Sequence, residues 1–148
     1  MLKILFQTKD EFVPFLLRVI LGVVMFPHGA GKVLGWFGGY GLKATINAFT
    51  QNMHIPLVFA LLAIASEFLG SIFLFLGFAT RIAAFGIAVI MIVAVKLVHF
   101  QYGLFMNWGG AQKGEGFEFH LLVLAIALAL MIKGGGTASI DKWISGKK

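Results

Sequence analysis

The chain has 148 residues, of which 59% are hydrophobic and 12% charged, with a formal net charge of +6 and no cysteine. Soluble domains carry about 25% charged residues, so this balance excludes an ordinary water-facing fold and points to lipid as the solvent. It also makes the positive charge a marker of orientation rather than of nucleic-acid binding, and the missing cysteine excludes disulfides, thiol exchange and thiolate-held zinc or iron–sulfur centres built by this chain.

The first apolar run covers 12–35 and carries Arg18, His28 and Lys32. At about 100° per residue these three fall within an arc of about 80°, with Pro27 placed to kink the helix among them. In "GLKATINAFTQNM" (41–53), Leu42, Ile46, Phe49 and Met53 recur at helical spacing, which predicts an amphipathic helix lying on the outer surface. The second run, 56–78, is interrupted by Glu67 near its midpoint. Ala60, Ala63, Gly70 and Ser71 share the face of Glu67, and small residues at this spacing let helices approach closely, so Glu67 is expected to point into a bundle.

The link "GFATR" (77–81) is so short that the second and third runs form an antiparallel hairpin. The third run, 80–101, carries Lys96 and His99 three residues apart, on one face of a regular helix. A glycine-rich outer loop, "MNWGGAQKGEG" (106–116), follows; it either lies over a pocket, bringing Asn107 and Trp108 to a ligand, or simply connects. The fourth run, 117–133, begins with Glu118 and His120, which lie about 200° apart on a helix and cannot both face inward unless the helix starts after them. Glu118 shares its face with Leu122, Ala125 and Ala129 and is assigned the inward position. In "SIDKWISGKK" (139–148), Ile140, Trp143 and Ile144 share one face, which predicts an inner interfacial helix with a basic end.

Each run approaches the roughly 17–25 residues needed to cross a bilayer as a helix. "FGIAVIMIVAV" (85–95) has no polar face, which argues against a water-soluble bundle. The expected fold is therefore all-α and integral to the membrane: one domain over 1–148, an antiparallel four-transmembrane-helix bundle with outer and inner interfacial helices. Lys3, Lys9, Arg81, Lys133, Lys142, Lys147 and Lys148 fall on one side, against Lys32, Lys43 and Lys113 on the other. The positive-inside rule then puts both termini in the cytoplasm. Trp36, Tyr40 and Trp108 suit an outer aromatic belt, and the absence of an A-x-A-like site predicts no cleaved signal peptide.

A charged residue at a helix centre costs about 2.5–3.5 kcal/mol on insertion scales, and such residues usually face protein and find partners. Counted from the hairpin, Lys96 lies about 7.5 Å further out than Glu67 at 1.5 Å per residue. Arg18 approaches from the inner half. The expected arrangement is a polar pocket opening outward, with Glu67 at its floor, either uncharged or paired with Arg18 or Lys96, and with His28, Lys32, Lys96, His99 and Glu118 above it. The plainer alternative is that these groups only hold the helices together. "HGAGKVLG" (28–35) echoes a phosphate loop, but Phe26 stands where the first glycine is required, so ATP binding is dismissed. "KGGGT" (133–137) reads as a helix stop. No metal site is expected, His28 and His99 being the weak candidates for haem ligation.

The stretches "LLRVILGVVMFPHGAGKVLGWFGGYGL", "SEFLGSIFLFLGFATRIAA", "GLFMNWGGAQKGEGFEFHLLVL" and "GGGTASIDKW" together resemble, in order, the blocks of the DoxX family of small bacterial membrane proteins. The matching positions are His28, Gly29, Lys32, Glu67, Arg81, Asn107, Gly109, Gly110 and Glu118, and the resemblance covers about residues 12–144. Between Gly110 and Glu118 this chain is longer than the family's tight Gly-Gly-Tyr-Glu form. The resemblance implies a four-helix protein of the bacterial inner membrane, related to subunits of quinone-linked oxidases and to redox defence, with many members labelled oxidoreductases without an assigned reaction.

Three functions follow as expectations. The first is a redox component that binds a quinone or similar amphipathic ligand. Glu67, Glu118 and His99 would be its candidate catalytic groups for proton transfer, with Arg18, His28, Lys32, Lys96, Asn107 and Trp108 contacting the ligand. It would need a partner subunit or a bound cofactor for electrons, with haem and flavin standing beside quinone. The second is a non-catalytic accessory or scaffold subunit. The third is a small-solute or proton pathway, for which four spans would require a homo-oligomer.

Overall fold

The computed structural model describes residues 5–146. Among the described residues the regular elements are all helical. Helix α1 is Phe12–Leu34. Helix α2, Gly41–Asn47, continues into a wider π turn at Ala48–Asn52. Helix α3 is Leu57–Leu76, and α4 is Thr80–Ala94, running on through a π turn at Val95–His99 and a 3-10 turn at Phe100–Tyr102. Helix α5 is Glu118–Lys133 and α6 is Ile140–Ile144.

Among the described residues three helices, Phe12–Leu34, Leu57–Leu76 and the continuous Thr80–Tyr102, are long and apolar enough to cross a membrane. Helix α5 has 16 residues, about 24 Å at 1.5 Å per residue, against a hydrocarbon core about 30 Å thick. Lys3, Lys147 and Lys148, counted above for orientation, lie outside the described residues.

The exterior is apolar and several polar groups are inside, the reverse of a soluble fold. Ile132 is 73% exposed and Leu122 66%, while Arg18 is 1% exposed and Asp141 1%. Leu21 and Met25 of α1, Leu74 of α3, Ile87 and Met91 of α4 and Val123, Ala127 and Leu130 of α5 form the central apolar cluster. Helix α1 rests on α3 through two glycines. A Cβ on Gly22 would stand 2.8 Å from the Ser71 carbonyl oxygen, and one on Gly29 would stand 2.5 Å from Phe68 Cα. As α1 advances from 22 to 29, its contacts on α3 move back from Ser71 to Phe68, so the two helices run in opposite directions. Ala60, Gly70 and Ser71 of the expected small-residue face are buried, together with Glu67.

The turn between α3 and α4 is built by hydrogen bonds across the sequence. Gly77 adopts φ 66° and ends α3 in a left-handed turn, with Gly77 N–H bonding Leu74 O at 3.1 Å and Phe78 N–H bonding Phe73 O at 2.9 Å. Ala79 follows at φ 46°. Asp141 of α6 holds this strained residue by accepting from Ala79 N–H at 2.6 Å and Thr80 N–H at 2.9 Å.

Two arginines complete a clasp at this end. Arg18 donates to Gly135 O, Leu74 O, Phe75 O, Thr137 O and Ala138 O at 2.5 to 3.1 Å. It thereby closes the C-terminus of α3 against the 134–138 turn, its guanidinium 5.0 Å from the Phe15 ring centroid. Arg81 donates to Met131 O, Ile132 O and Gln7 O, closing the C-terminus of α5. Arg18 is thus not a ligand group below Glu67. It sits at helix ends whose orphan carbonyls require a donor. The "KGGGT" stretch is the turn that receives Arg18, as a helix stop should be.

Helix α6 keeps the expected apolar side: Trp143 is 83% exposed and Ile144 47%. Helix α2 departs from expectation. Its wider turn breaks the helical register after Asn47, and its buried residue is Thr45, which donates to Lys32 O at 3.2 Å and Gly41 O at 2.8 Å.

Candidate functional site

At the opposite end from the clasp, the close approach of Gly29 to the backbone of Glu67 and Phe68 carries Lys32, one turn later on α1, over the Glu67 side chain. Lys32 Nζ and Glu67 Oε2 form an ion pair. Glu67 is 5% exposed, so without this partner a carboxylate would be buried alone in a low-dielectric interior. The partner is Lys32, and neither Arg18 nor Lys96 fills that role. Arg18 is committed to the carbonyls of Leu74 and Phe75, about 10 Å further along α3 at 1.5 Å per residue. Lys96 is exposed, about 140° around the helix from the buried Met91 at 100° per residue, and the π turn at Val95–His99 also takes it out of line with His99.

Lys32 lines a cleft of 210 Å³ with Pro27, His28, Gly31, Tyr40 and Thr45. Glu67 is reached from this cleft through Lys32. His28 opens onto the same cleft, and its ring lies 6.3 Å from that of Phe119.

Next to Phe119, the ring of His120 stands 4.2 Å from the ring of His99. His120 is 6% exposed, and its Nδ1 is buried without a hydrogen-bond partner. His99 Nδ1 lies 2.8 Å from Glu115 O. A carbonyl only accepts, so Nδ1 of His99 carries a proton and donates it to Glu115 O.

Glu118 and His120 exchange the roles assigned from the sequence. His120, Val123, Ala127 and Leu130 are the buried face of α5, whereas Leu122 and Ala125 are exposed. Glu118 turns back over the preceding loop, accepting from Met106 N–H at 2.8 Å and Trp108 Nε1–H at 3.2 Å. Asn107 is also occupied within the loop. Its N–H donates to Glu115 Oε2 at 2.6 Å, and its side chain exchanges hydrogen bonds with the backbone of Gln112. Trp108 is 88% exposed. Asn107, Trp108 and Glu118 therefore organise the 103–117 loop rather than line the cleft.

The structure thus brings together Lys32, Glu67 and His28 at the cleft, and His99 with His120 beside it. It sends Arg18 and Lys96 elsewhere. Glu115 was missed, and His120 was ranked below Glu118. Helix α5 is apolar nearly all round, so either face could pass for the inner one, and Glu115 holds the loop through backbone groups that spacing does not disclose.

Among the described residues no group of three or more His, Asp or Glu is placed to hold a metal ion. His28 and His99, the weak haem-ligand candidates, are set against Phe119 and His120 respectively.

A family model described as DoxX matches residues 13–100. A curated relative, "Putative oxidoreductase CatD" of Bacillus subtilis (strain 168), is 30% identical over 139 residues, which is 93% of this chain and 92% of that protein. No solved structure matches the chain.

Proposed function

The chain belongs to the DoxX family, and from that membership we propose that it is a membrane redox component that takes the head of a quinone, or a similar amphipathic molecule, into the Lys32 cleft. The single observation that carries this reading is the buried Glu67 carboxylate fixing Lys32 at the cleft wall. Lys32 and His28 present donors suited to ring oxygens, and Glu67 orients the ammonium group and offers a carboxylate for proton exchange. At 210 Å³ the cleft falls below the roughly 300–1,000 Å³ of drug-sized sites. That favours a single ring inside and an apolar tail along the lipid-facing helices over a flavin. A quinone, when bound, supplies two-electron, two-proton chemistry, and a partner oxidoreductase supplies the electrons.

In this reading α5 is a fourth span of an antiparallel bundle in the bacterial inner membrane. The clasp end, with Lys9, Arg81, Lys133 and Lys142, faces the cytoplasm together with both termini. The test is extraction of the protein purified in mild detergent, with mass spectrometry for quinone, flavin and haem, followed by titration with a short-chain benzoquinone. Retained quinone, with binding weakened in Glu67→Gln, is the expected result. An extract without quinone and a flat titration would sink the proposal.

One observation favours a second reading. Arg18, Arg81 and Asp141 serve only to join helix ends, so much of the polar interior is structural. A non-catalytic accessory subunit would need no more than that. In that case the activity of a partner enzyme should follow the abundance of this chain and ignore Lys32→Met.

A further inference from the structure

Among the described residues four non-glycine residues adopt a positive φ: Phe37, His54, Ala79 and Ala138. Three of them have a physical account. Ala79 is held by Asp141, the carbonyl of Ala138 accepts from Arg18, and histidine is among the side chains that enter this region most readily. Phe37 has no such account. At φ 54° a bulky side chain is an outlier.

The chain reverses sharply at this point. Gly39 N–H donates to Trp36 O at 2.9 Å. Phe37 at φ 54° and Gly38 at φ 79° carry the two positive φ values of a type I′ turn, whose central positions favour Asn, Asp or Gly. The reversal is required by the approach of Gly39 to α1, where a Cβ on Gly39 would stand 2.3 Å from Gly31 Cα. The fold thus accounts for the turn but not for a phenylalanine in it. Packing does not offset the strain either, because Phe37 is 69% exposed, with the Trp36 ring edge-on to it at 6.4 Å and 72°. What the conformation does is set Phe37 against the Lys32 cleft, which it lines together with His28 and Lys32. Backbone strain clusters at ligand clamps. A membrane-belt anchor is the plainer role, but belts favour Trp and Tyr, and Trp36 and Tyr40 stand on either side of the turn to supply it.

We propose that Phe37 contacts the ligand and sets its shape: the ring stacks on the flat quinone head while Lys32 bonds a ring oxygen. This inference rests on the quinone reading and extends it from the polar groups of α1 to the turn that follows.

Two variants separate a stacking role from an anchoring one. Phe37→Asn relieves the backbone and removes the ring, whereas Phe37→Leu keeps the apolar bulk and the strain but loses the flat face. Without ligand, in detergent, Phe37→Asn should raise the melting temperature by about 2–4 °C and Phe37→Leu should leave it unchanged. Both should weaken binding of a short-chain benzoquinone, read by titration calorimetry, about three- to tenfold, and Phe37→Tyr should keep it. A melting temperature at or below the wild-type value in Phe37→Asn would mean that the ring serves the fold, and would overturn the inference. Wild-type affinity in Phe37→Leu would also overturn it, by reducing the ring to apolar bulk, while leaving the quinone reading intact. If the wild-type chain takes up no benzoquinone, the quinone reading fails and this inference fails with it.

Discussion

Replacing Lys32 by methionine leaves the stem of the side chain and removes its charge. The Glu67 side chain is 7% exposed and the Lys32 side chain 27%. Breaking a fully buried pair costs about 3–5 kcal/mol, because the remaining charge is stranded. Since the lysine is partly solvated, part of that interaction is screened, and roughly 2–3 kcal/mol is the appropriate figure. For a chain of this size that corresponds to a drop of about 4–12 °C in melting temperature. The double variant Lys32→Met/Glu67→Gln strands no charge and should recover most of the loss. Thermal unfolding in detergent, followed by helical circular dichroism, closes the cycle over wild type, both single variants and the double variant. Equal melting temperatures for Lys32→Met and wild type, or a double variant as unstable as Lys32→Met alone, would refute the claim that Glu67 depends on Lys32.

The other expectations concern the frame around the site. Arg18→Met should cost at least about 3 kcal/mol, because buried carbonyls of two elements lose their donor. Arg18→Lys should recover little of it, since an ammonium lacks the planar fork that spans them; the same unfolding assay checks both. In Gly29→Ala the new Cβ meets backbone at 2.5 Å from Phe68 Cα and 2.7 Å from Glu67 C, so α1 and α3 must part. The expected loss is about 1–3 kcal/mol, together with weaker quinone binding as Lys32 moves off Glu67. At the clasp, hydrogen bonds from Lys142 and Thr137 hold the Asp10 carboxyl below its ordinary value of 3.8. The folded value is the depressed one, so the contribution of Asp10 is present above the ordinary value and is lost as pH falls through the lower folded value. Protection of the amides around Thr137, measured against their intrinsic exchange rates, should therefore fall once the pH drops below the ordinary carboxyl value, and Asp10→Asn should show the reduced protection already at neutral pH.

Much of the architecture was legible because lipid imposes simple rules. A helix must be long and apolar to cross, a carboxylate in such a run must find a partner, and small residues mark the side where helices touch. Glu67 and the face of Ala60, Gly70 and Ser71 followed from those rules. The partner of Glu67 did not. Helical spacing placed Lys32, His28 and Arg18 on one arc of α1, but only the contact of Gly29 with α3 decides which of them meets the carboxylate. Lys96 was misread because its spacing to His99 shows a shared face without showing which face packs inward, and the buried face of α4 runs through Ala84, Ile87 and Met91 instead. His120 and Glu118 were exchanged because α5 lacks a polar stripe to distinguish its faces.

The sequence by itself determined that the chain belongs in a membrane, where its apolar helices lie and that Glu67 needed company. Composition and run length answer to the solvent, and the solvent acts on each segment separately. Tertiary structure alone decided that Arg18 clasps the far end, that Lys32 pairs with Glu67 and that His120 keeps a nitrogen free beside the cleft. Those outcomes depend on helix registers set by backbone contact at Gly22 and Gly29 and by hydrogen bonds between residues more than fifty positions apart, and neither is written in the spacing along any one helix.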